Sequence, residues 1–296
     1  MADSPRLSAF KAACRKVDGD DPISDMAGDV ASTEANNTLC AVSPAGDLVA
    51  AGWIKPLPEL RVAFGGRVHP DFRQQGLGKH LMAWAECRAA ELLQAGKSIQ
   101  LVITNEALGD DAHRLYLQSG YEQIMAEEMQ VYNLARPFAS MEFPDGITRV
   151  AWSAETAGQF FKAYQDSFRD RPGFPNLSAQ EWINGNLESE GFRPDLSVLA
   201  LFSNQPVGFL TAEVFSGLGW ISQVGVIPAW RGKGLARALM TETLQGFRAE
   251  GFKEAALHVN VNNPQAIHLY SQLGFVYRLT RARYVKEIKK VSVQKT

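Results

Sequence analysis

One stretch of this 296-residue chain is written twice. Residues 72–82 read FRQQGLGKHLM and residues 230–240 read WRGKGLARALM. Val68, Pro70, Arg73, Gly76, Leu77, Leu81 and Met82 match Val226, Pro228, Arg231, Gly234, Leu235, Leu239 and Met240, each pair 158 positions apart. Gly78 faces Ala236, another small residue. Further along, AHRLYLQSGY (112–121) matches AIHLYSQLGF (266–275) at a spacing of 154. Two motifs in the same order, with a fixed offset inside each and a slip between them, describe a duplicated domain that has lost part of a loop. The chain therefore has to fold as two like modules. Its length agrees, at about 100–200 residues per domain. The boundary is expected near RPFASMEFPDGI (136–147), which has two prolines, a glycine and no helical period. That gives an N-terminal domain over 1–140 and a C-terminal domain over 145–296.

Within the second half, SVLALFS and PVGFLTAEVF read as strands, with Asn204 and Gln205 as the turn between them. WISQVGVI is the next strand, ended by Pro228, which has no N–H to give a ladder. Leu235, Leu239, Met240, Leu244 and Phe247 then lay one apolar stripe on a helix. EAALHVNV (254–261) is a further strand. The helix after it carries its own punctuation. Asn263 suits the N-cap, Pro264 the first helical position and Gly274 the residue just past the end. Ala266, Leu269, Tyr270 and Leu273 share one face of it. The first half repeats the order with LCAVS, LVAAGWI, LRVAFGGRV, a helix from Gly76, SIQLVI and a helix from about Asp111. Both halves read as mixed α/β, hairpin strands first and a strand–helix–strand–helix unit after them.

In both halves a strand ends at a proline, a short basic loop follows, and a helix begins at the glycines. The first turn of a helix leaves N–H groups unpaired and carries the positive end of the dipole. An anion placed there is held by backbone donors. Glycine lets it approach the main chain closely. Arg231, Lys233 and Arg237 add charge in one copy, and Arg73 and Lys79 in the other. The motif suits a pyrophosphate. Neither copy has the GxxxxGK followed by Ser or Thr that a P-loop needs. GKGLAR lacks the third glycine of a dinucleotide fingerprint, and its strand comes too late in the half.

The pattern Arg-x-x-Gly-x-Gly/Ala after Val-x-Pro, followed downstream by Asn-x-x-Ala-x-x-x-Tyr-x-x-x-Gly-Phe, resembles the GNAT superfamily of acyl-CoA-dependent N-acetyltransferases. The likeness is present in both halves, and the tandem arrangement is similar to that of mycothiol synthases. The resemblance implies an α/β fold of the α+β type: two tandem GNAT-like domains, each a mixed, mostly antiparallel twisted sheet flanked by helices. It implies acetyl-CoA as co-substrate and no metal. By the same resemblance, the pyrophosphate sits on the N–H groups of Arg231, Gly232, Lys233, Gly234, Leu235, Ala236 and Arg237. In the first copy it sits on those of Arg73, Gln74, Gln75, Gly76, Leu77, Gly78 and Lys79. Pantetheine pairs with the backbone of the strand ending at Val226, or at Val68 in the first copy, and the amides around Val224 polarise the thioester carbonyl. Asn263 hydrogen-bonds the pantetheine arm while capping its helix. Tyr270 faces the sulfur and protonates the departing thiolate, or else packs in the core. A phenol near pKa 10 is a weaker acid than a thiol near 8.5, so full transfer is uphill by roughly 2 kcal/mol and a strong hydrogen bond from Tyr270 is the easier role. Tyr116 is its counterpart in the first half.

Many members of this family use a glutamate on the strand before the phosphate loop to take the amine proton. Here WISQVGV and RVAFGGRV hold no carboxylate. Glu213, on the preceding strand, is the candidate general base, directly or through water. Otherwise backbone carbonyls with water, or an acceptor amine of low pKa, serve instead. The second half has Asn263 where the first has Gly109, so the second is expected to be catalytic and the first to bind acyl-CoA without turnover. SFRDRPGFPNLS (167–178), with Arg169 and Arg171, lies where this family lines its acceptor site. It suits an anionic or sugar-bearing acceptor, or is a plain surface loop.

Composition narrows the partners. A net charge of −2 argues against a duplex nucleic acid. Cys14, Cys40 and Cys87 lie far apart, which suggests buried thiols in a reducing compartment rather than a disulfide frame or a zinc site. His69, His80, His113, His258 and His268 show no metal spacing. No apolar run reaches the roughly 18 residues of a membrane span, and MADSPRLSAFKAACRK has no apolar h-region. A cytoplasmic protein without membrane or nucleic-acid partners is expected, either a monomer with pseudo-dimeric domains or a homodimer. The expected reaction moves an acetyl group from acetyl-CoA to the primary amine of a small-molecule acceptor by direct attack, since no cysteine or serine motif argues for a covalent enzyme intermediate. Two alternatives stay open: a non-catalytic acyl-CoA sensor, and a mycothiol-synthase-like transfer to an amino-sugar conjugate.

Overall fold

The computed structural model describes residues 5–18, 34–93, 97–138, 142–171 and 173–289. The chain forms two compact units, Met1–Glu128 with Leu279–Thr296, and Met129–Arg278. The expected boundary region includes residues 139–141, which lie outside the described residues. The observed division falls instead within two strands, because the C-terminal strand leaves the second unit and joins the sheet of the first.

In the first unit the order is α1 (Pro5–Asp18), β1 (Thr38–Val42), β2 (Leu48–Leu57), β3 (Arg61–Val68), α2 (Leu77–Glu91), β4 (Ser98–Asn105), α3 (Asp110–Gln118) and the start of β5 (Glu122–Asn133). β1, β2 and β3 pair antiparallel, and β3 and β4 parallel. The C-terminal strand then lies antiparallel on β4, from Ala282↔Asn105 to Lys289↔Ser98. Leu81, Met82, Ala85 and Ala89 of α2 pack on Ile54, Val62, Phe64 and Leu101, and Tyr284 and Ile288 of the C-terminal strand join the same core. At about 1.5–3 kcal/mol for each large apolar side chain buried, that strand is an integral part of the unit. α1 covers the opposite face through Leu7, Phe10 and Cys14 against Ala51.

The second unit runs β6 (Ile147–Ala151), α4 (Ala157–Phe168), α5 (Ala179–Leu187), β7 (Val198–Phe202), β8 (Gln205–Phe215), β9 (Leu218–Val226), α6 (Leu235–Ala249), β10 (Glu254–Asn260), α7 (Pro264–Leu273) and the start of β11 (Val276–Lys289). Its strand order is β6-β7-β8-β9-β10, with the end of β5 beside β10. β9 and β10 run parallel, and β6 to β9 alternate antiparallel. The expected stripe of Leu235, Leu239, Met240, Leu244 and Phe247 is buried against Leu210, Ala212, Ile221 and Leu257. α4 and α5 cover the other face with Phe160, Tyr164 and Trp182 on Leu199, Leu201 and Phe209. Each unit is thus a mixed, mostly antiparallel sheet between helices.

Two details differ from expectation, and a third separates the units. The β7–β8 turn is Ser203–Asn204, both left-handed at φ 49° and 60°, and Gln205 already pairs with Phe202. Cys14 is buried, but Cys40 and Cys87 are exposed, the first on the edge strand β1 and the second off the buried stripe of α2. β2 and β3 run in unbroken register, whereas β9 bulges at Ser222, between the pairs Thr211↔Gln223 and Ala212↔Ile221. Among the described residues no helix is long and apolar enough to cross a membrane.

Candidate active site

In each unit the parallel strand pair opens at the same place. Pairing of β3 with β4 ends at Phe64↔Ile103, and that of β9 with β10 at Ile221↔Leu257. Beyond those points Gly65–Val68 and Gln223–Val226 keep only their outer partners, β2 and β8. The next N–H groups, of His69 and Ile227, donate to Val49 and Val207 on those outer strands. Main-chain groups alternate in direction along a strand. Gly66, Val68, Val224 and Val226 therefore turn their N–H and C=O groups into the opening.

A helix starts beside each opening. Gly76 and Gly234 stand at the N-caps of α2 and α6 with φ of 86° and 82°, and no side chain caps either helix. The first helical bonds run from His80 N–H to Gly76 O and from Ala238 N–H to Gly234 O, both 3.0 Å. The N–H groups of Leu77, Gly78 and Lys79, and of Leu235, Ala236 and Arg237, have no partner among the described residues. Positive φ is what demands glycine here. A Cβ on Gly76, Gly232 or Gly234 would meet no protein atom within 4 Å, so the space beside each turn is clear. Gly78 serves differently: its Cβ would stand 3.0 Å from Leu115, so it lets α2 approach α3.

The loop arginines face inward. Arg231 N–H bonds Pro228 O, its Nε donates to Val226 O at 3.2 Å, and its Nη2 donates to Ser167 O at 2.9 Å. Arg73 repeats the first two, to Pro70 O and to Val68 O at 3.2 Å, and grips Asp18 with both remaining nitrogens at 2.8 and 2.7 Å. Both guanidinium groups brace the loop. Lys233 stacks on Trp230 at 4.7 Å, and Arg237 donates to Gln272 at 2.7 Å. Gln75 donates to Asp71 O and Gln74 to Asp111, at 3.2 and 3.3 Å. In the first unit a cavity of about 1100 Å³ runs from Gly76 and Lys79 past Val68 and Gly66 to Asn105 and Tyr116. Asp18, Glu106, Asp110 and Asp111 share its walls with Arg67, Arg73 and Arg114.

Tyr270, on α7, is 8% exposed, and its hydroxyl has no hydrogen bond among the described residues. Burial pushes the phenol up to about 12, against a smaller downward pull from the Arg171 charge. Relative to a thiol near 8.5, proton transfer from it is uphill by about 5 kcal/mol, more than an ordinary phenol would face. A hydrogen bond remains open to it. Tyr116 differs: its hydroxyl accepts from Asn105 Nδ2 at 3.1 Å, and its ring lies 4.8 Å from that of Tyr284. Burial raises its pKa as well. Asn263 forms the expected cap, accepting from Ala266 N–H at 3.2 Å, while Gly109 caps α3 with no side chain. Glu213 is half-buried on β8 opposite Trp220, with no ion pair among the described residues. It lies three positions, or about 10 Å, along the strand from Leu210, the partner of Val224. Proton transfer to it from there requires intervening water.

Sequence reading missed several groups near this opening. Thr211 and Gln223 are polar residues inside otherwise apolar strands, which was a usable signal. Ser167 carried none, because its place depends on where α4 lies. Arg171 lies 5.3 Å over the Phe168 ring, and its charge lowers the pKa of Tyr164 and Tyr270 slightly against the effect of burial; Pro172 lies outside the described residues. Among the described residues no group of three or more His, Cys, Asp or Glu is placed to hold a metal ion.

A parted strand pair beside a glycine-started helix, built twice, defines a tandem α/β protein with an anion-accepting turn in each unit. The acetyltransferase (GNAT) family matches residues 154–275 and the acetyltransferase (GNAT) domain matches residues 36–123. The two matches, one in each unit, together cover well over half of the chain, and the chain belongs to the GNAT family of N-acetyltransferases, whose acetyl donor is acetyl-CoA. The mycothiol acetyltransferase of Thermobispora bispora is 28% identical over 218 residues, 70% of each chain. The crystal structure of a GCN5-related N-acetyltransferase from Sphaerobacter thermophilus is 27% identical, with a TM-score of 0.74 over 97% of this chain and 93% of that one. A tandem GNAT protein from the clavulanic acid biosynthesis pathway shares the fold at 17% identity, with a TM-score of 0.62 over 96% of this chain and 94% of its own.

Proposed function

We propose that the second unit transfers the acetyl group of acetyl-CoA to the primary amine of a small-molecule acceptor by direct attack, and that the first unit holds acyl-CoA without turnover. One juxtaposition carries this reading. The second unit combines a helix start with unpaired N–H groups, an opened strand edge at Val224, and a buried phenol whose hydroxyl is unengaged. The clear space at Gly232 and Gly234 fits an anionic group resting on the backbone. The N–H groups from Gly232 to Arg237 would hold the diphosphate, and Val224 with the Asn263 amide would hold the pantetheine arm. Bound acetyl-CoA supplies the activated acyl thioester.

The chain's own groups do the rest. Val224 N–H donates to the carbonyl oxygen as charge develops on it. Tyr270 stays protonated at neutral pH and donates a hydrogen bond to the sulfur. Glu213 receives the amine proton through water, and an acceptor amine of low pKa lessens the demand on it. The relatives' name, mycothiol acetyltransferase, favours an amino-sugar conjugate of the mycothiol type as the narrower acceptor. A non-catalytic sensor is the less favoured alternative.

Thiol release from acetyl-CoA across a broad amine panel tests the reading. Turnover with at least one amine, lowered about 100-fold by Tyr270→Phe, is expected. Tight CoA binding without thiol release for any amine would leave the sensor.

A further inference from the structure

The two units differ at one cross-strand pair beside the opening. Trp53 on β2 faces Gly65 on β3, and Thr211 on β8 faces Gln223 on β9, at positions related by the same offset of 158. In the first unit the indole lies directly on the glycine: a Cβ on Gly65 would stand 2.5 Å from the Trp53 ring. In the second unit the same place is polar. The Thr211 hydroxyl, the Gln223 amide oxygen and the Ser167 hydroxyl of α4 are shut off from solvent without a hydrogen-bond partner among the described residues. Thr211 is 0% exposed and Ser167 4%.

The three lie together. Thr211 and Gln223 are cross-strand partners. Ser167 abuts Gly225, where an added Cβ would stand 2.9 Å from the serine Cβ, and Gly225 shares a strand face with Gln223. Beside them Tyr164 stacks on Trp182 at 5.0 Å, with Phe209 edge-on to both. A buried polar group without a partner costs about 1–3 kcal/mol, and nearly all such groups in folded proteins are satisfied by something. Three side by side, at the edge of the opening, call for a ligand.

Resting on the reading of the second unit as the acetyl-transfer centre, we propose that Thr211, Gln223 and Ser167 form its acceptor subsite, and that they select an amine flanked by uncharged hydroxyl or amide groups. The phosphate loop and α6 occupy one face of the sheet, so an acyl arm in the opening leaves the amine to approach from the other. That is the face of the trio. Two hydroxyls and a carboxamide offer both donors and acceptors but no charge. A neutral polar acceptor answers them, and the aromatic wall receives its apolar side. Trp53 takes this place in the first unit, which therefore has no such subsite.

The test uses the full chain with glucosamine, which carries hydroxyls beside its amine, and cyclohexylamine, which carries none. In Thr211→Val and Gln223→Leu, kcat/KM for glucosamine should fall about 10–100-fold, at about 1.4 kcal/mol per tenfold. The KM for acetyl-CoA should stay within twofold, the ratio of glucosamine to cyclohexylamine turnover should fall by the same factor, and Thr211→Ser should restore glucosamine use. Melting temperatures should hold or rise, because apolar replacement of unpaired groups is neutral or stabilising. Unchanged glucosamine kinetics in both variants, or no preference for glucosamine in the parent, would overturn the subsite while leaving acetyl transfer intact. A fall in melting temperature with unchanged kinetics would also overturn it, assigning the trio to structural water. A parent that releases no thiol with any amine fails earlier, at the acetyl-transfer reading itself.

Discussion

The two units carry the same loop and tether it differently. Arg231 ends on a main-chain carbonyl, Ser167 O, whereas Arg73 ends on the carboxylate of Asp18 at the end of α1. The carbonyl brings no net charge. The carboxylate places a negative group in the wall of a cavity suited to an anion. Gln74 holds φ 59° where Gly232 holds 74°, a conformation that costs a non-glycine residue about 1–2 kcal/mol. Asn263 caps α7, and Gly109 leaves α3 without a side-chain cap. Thr211 and Gln223 stand where Trp53 and Gly65 stand. Duplication has kept the shape of the loop and let the chemistry around it drift apart, and that contrast is the basis on which the second unit is proposed for turnover.

The sharpest way to break this contrast is at the two tyrosines. Tyr270→Phe should lower kcat for thiol release about 100-fold and Tyr116→Phe less than about twofold; equal losses would erase the asymmetry. The pH dependence of stability is next in size. Tyr270 is raised from 10 to about 12, so its contribution is complete below pH 10 and lost as pH rises toward 12. Tyr270's share of the loss in urea melts across that window should be at most about 3 kcal/mol, beside that of the other raised tyrosines such as Tyr284, and Tyr270→Phe should remove only that share. Turnover should show no decline from this phenol below pH 10.

Smaller effects sharpen the comparison of tethers and caps. Asp18→Asn should destabilise the first unit by about 1 kcal/mol, a modest value because both partners are a quarter to a third exposed to screening solvent. The measurement is the urea midpoint, and a loss of several kcal/mol would mean that the charge pair organises the loop. Asn263→Ala should cost about 1 kcal/mol and Gly109→Ala a few tenths or less, since only the first removes a capping oxygen. Gln74→Gly should be the mildest, within about 1 kcal/mol of neutral, because relief of the left-handed strain is offset by greater freedom in the unfolded chain.

Features that depend on near neighbours in the chain were readable from the residues. The stripe of α6 follows from a helical period, the Asn263 cap from its acceptor amide oxygen just before Pro264, and both glycine turns from the only residue that adopts positive φ without strain. The polarity of Thr211 and Gln223 was visible too, but nothing local says that they face one another beside Ser167. The same limit hid the exposure of Cys40 and Cys87, which follows from an edge strand and a helix face rather than from the thiol.

What the residues determined alone is therefore the repeat, the order of strands and helices in each half, and a backbone poised for an anion at two helix starts. Tertiary structure decided that Ala282–Lys289 complete the first unit's sheet, that the loop arginines turn inward, and that the place beside the opening is an indole in one unit and, among the described residues, three unpaired polar groups in the other. The physical reason is range. Periodicity and capping act over a few residues, while strand pairing and burial join residues more than a hundred positions apart and leave no local mark.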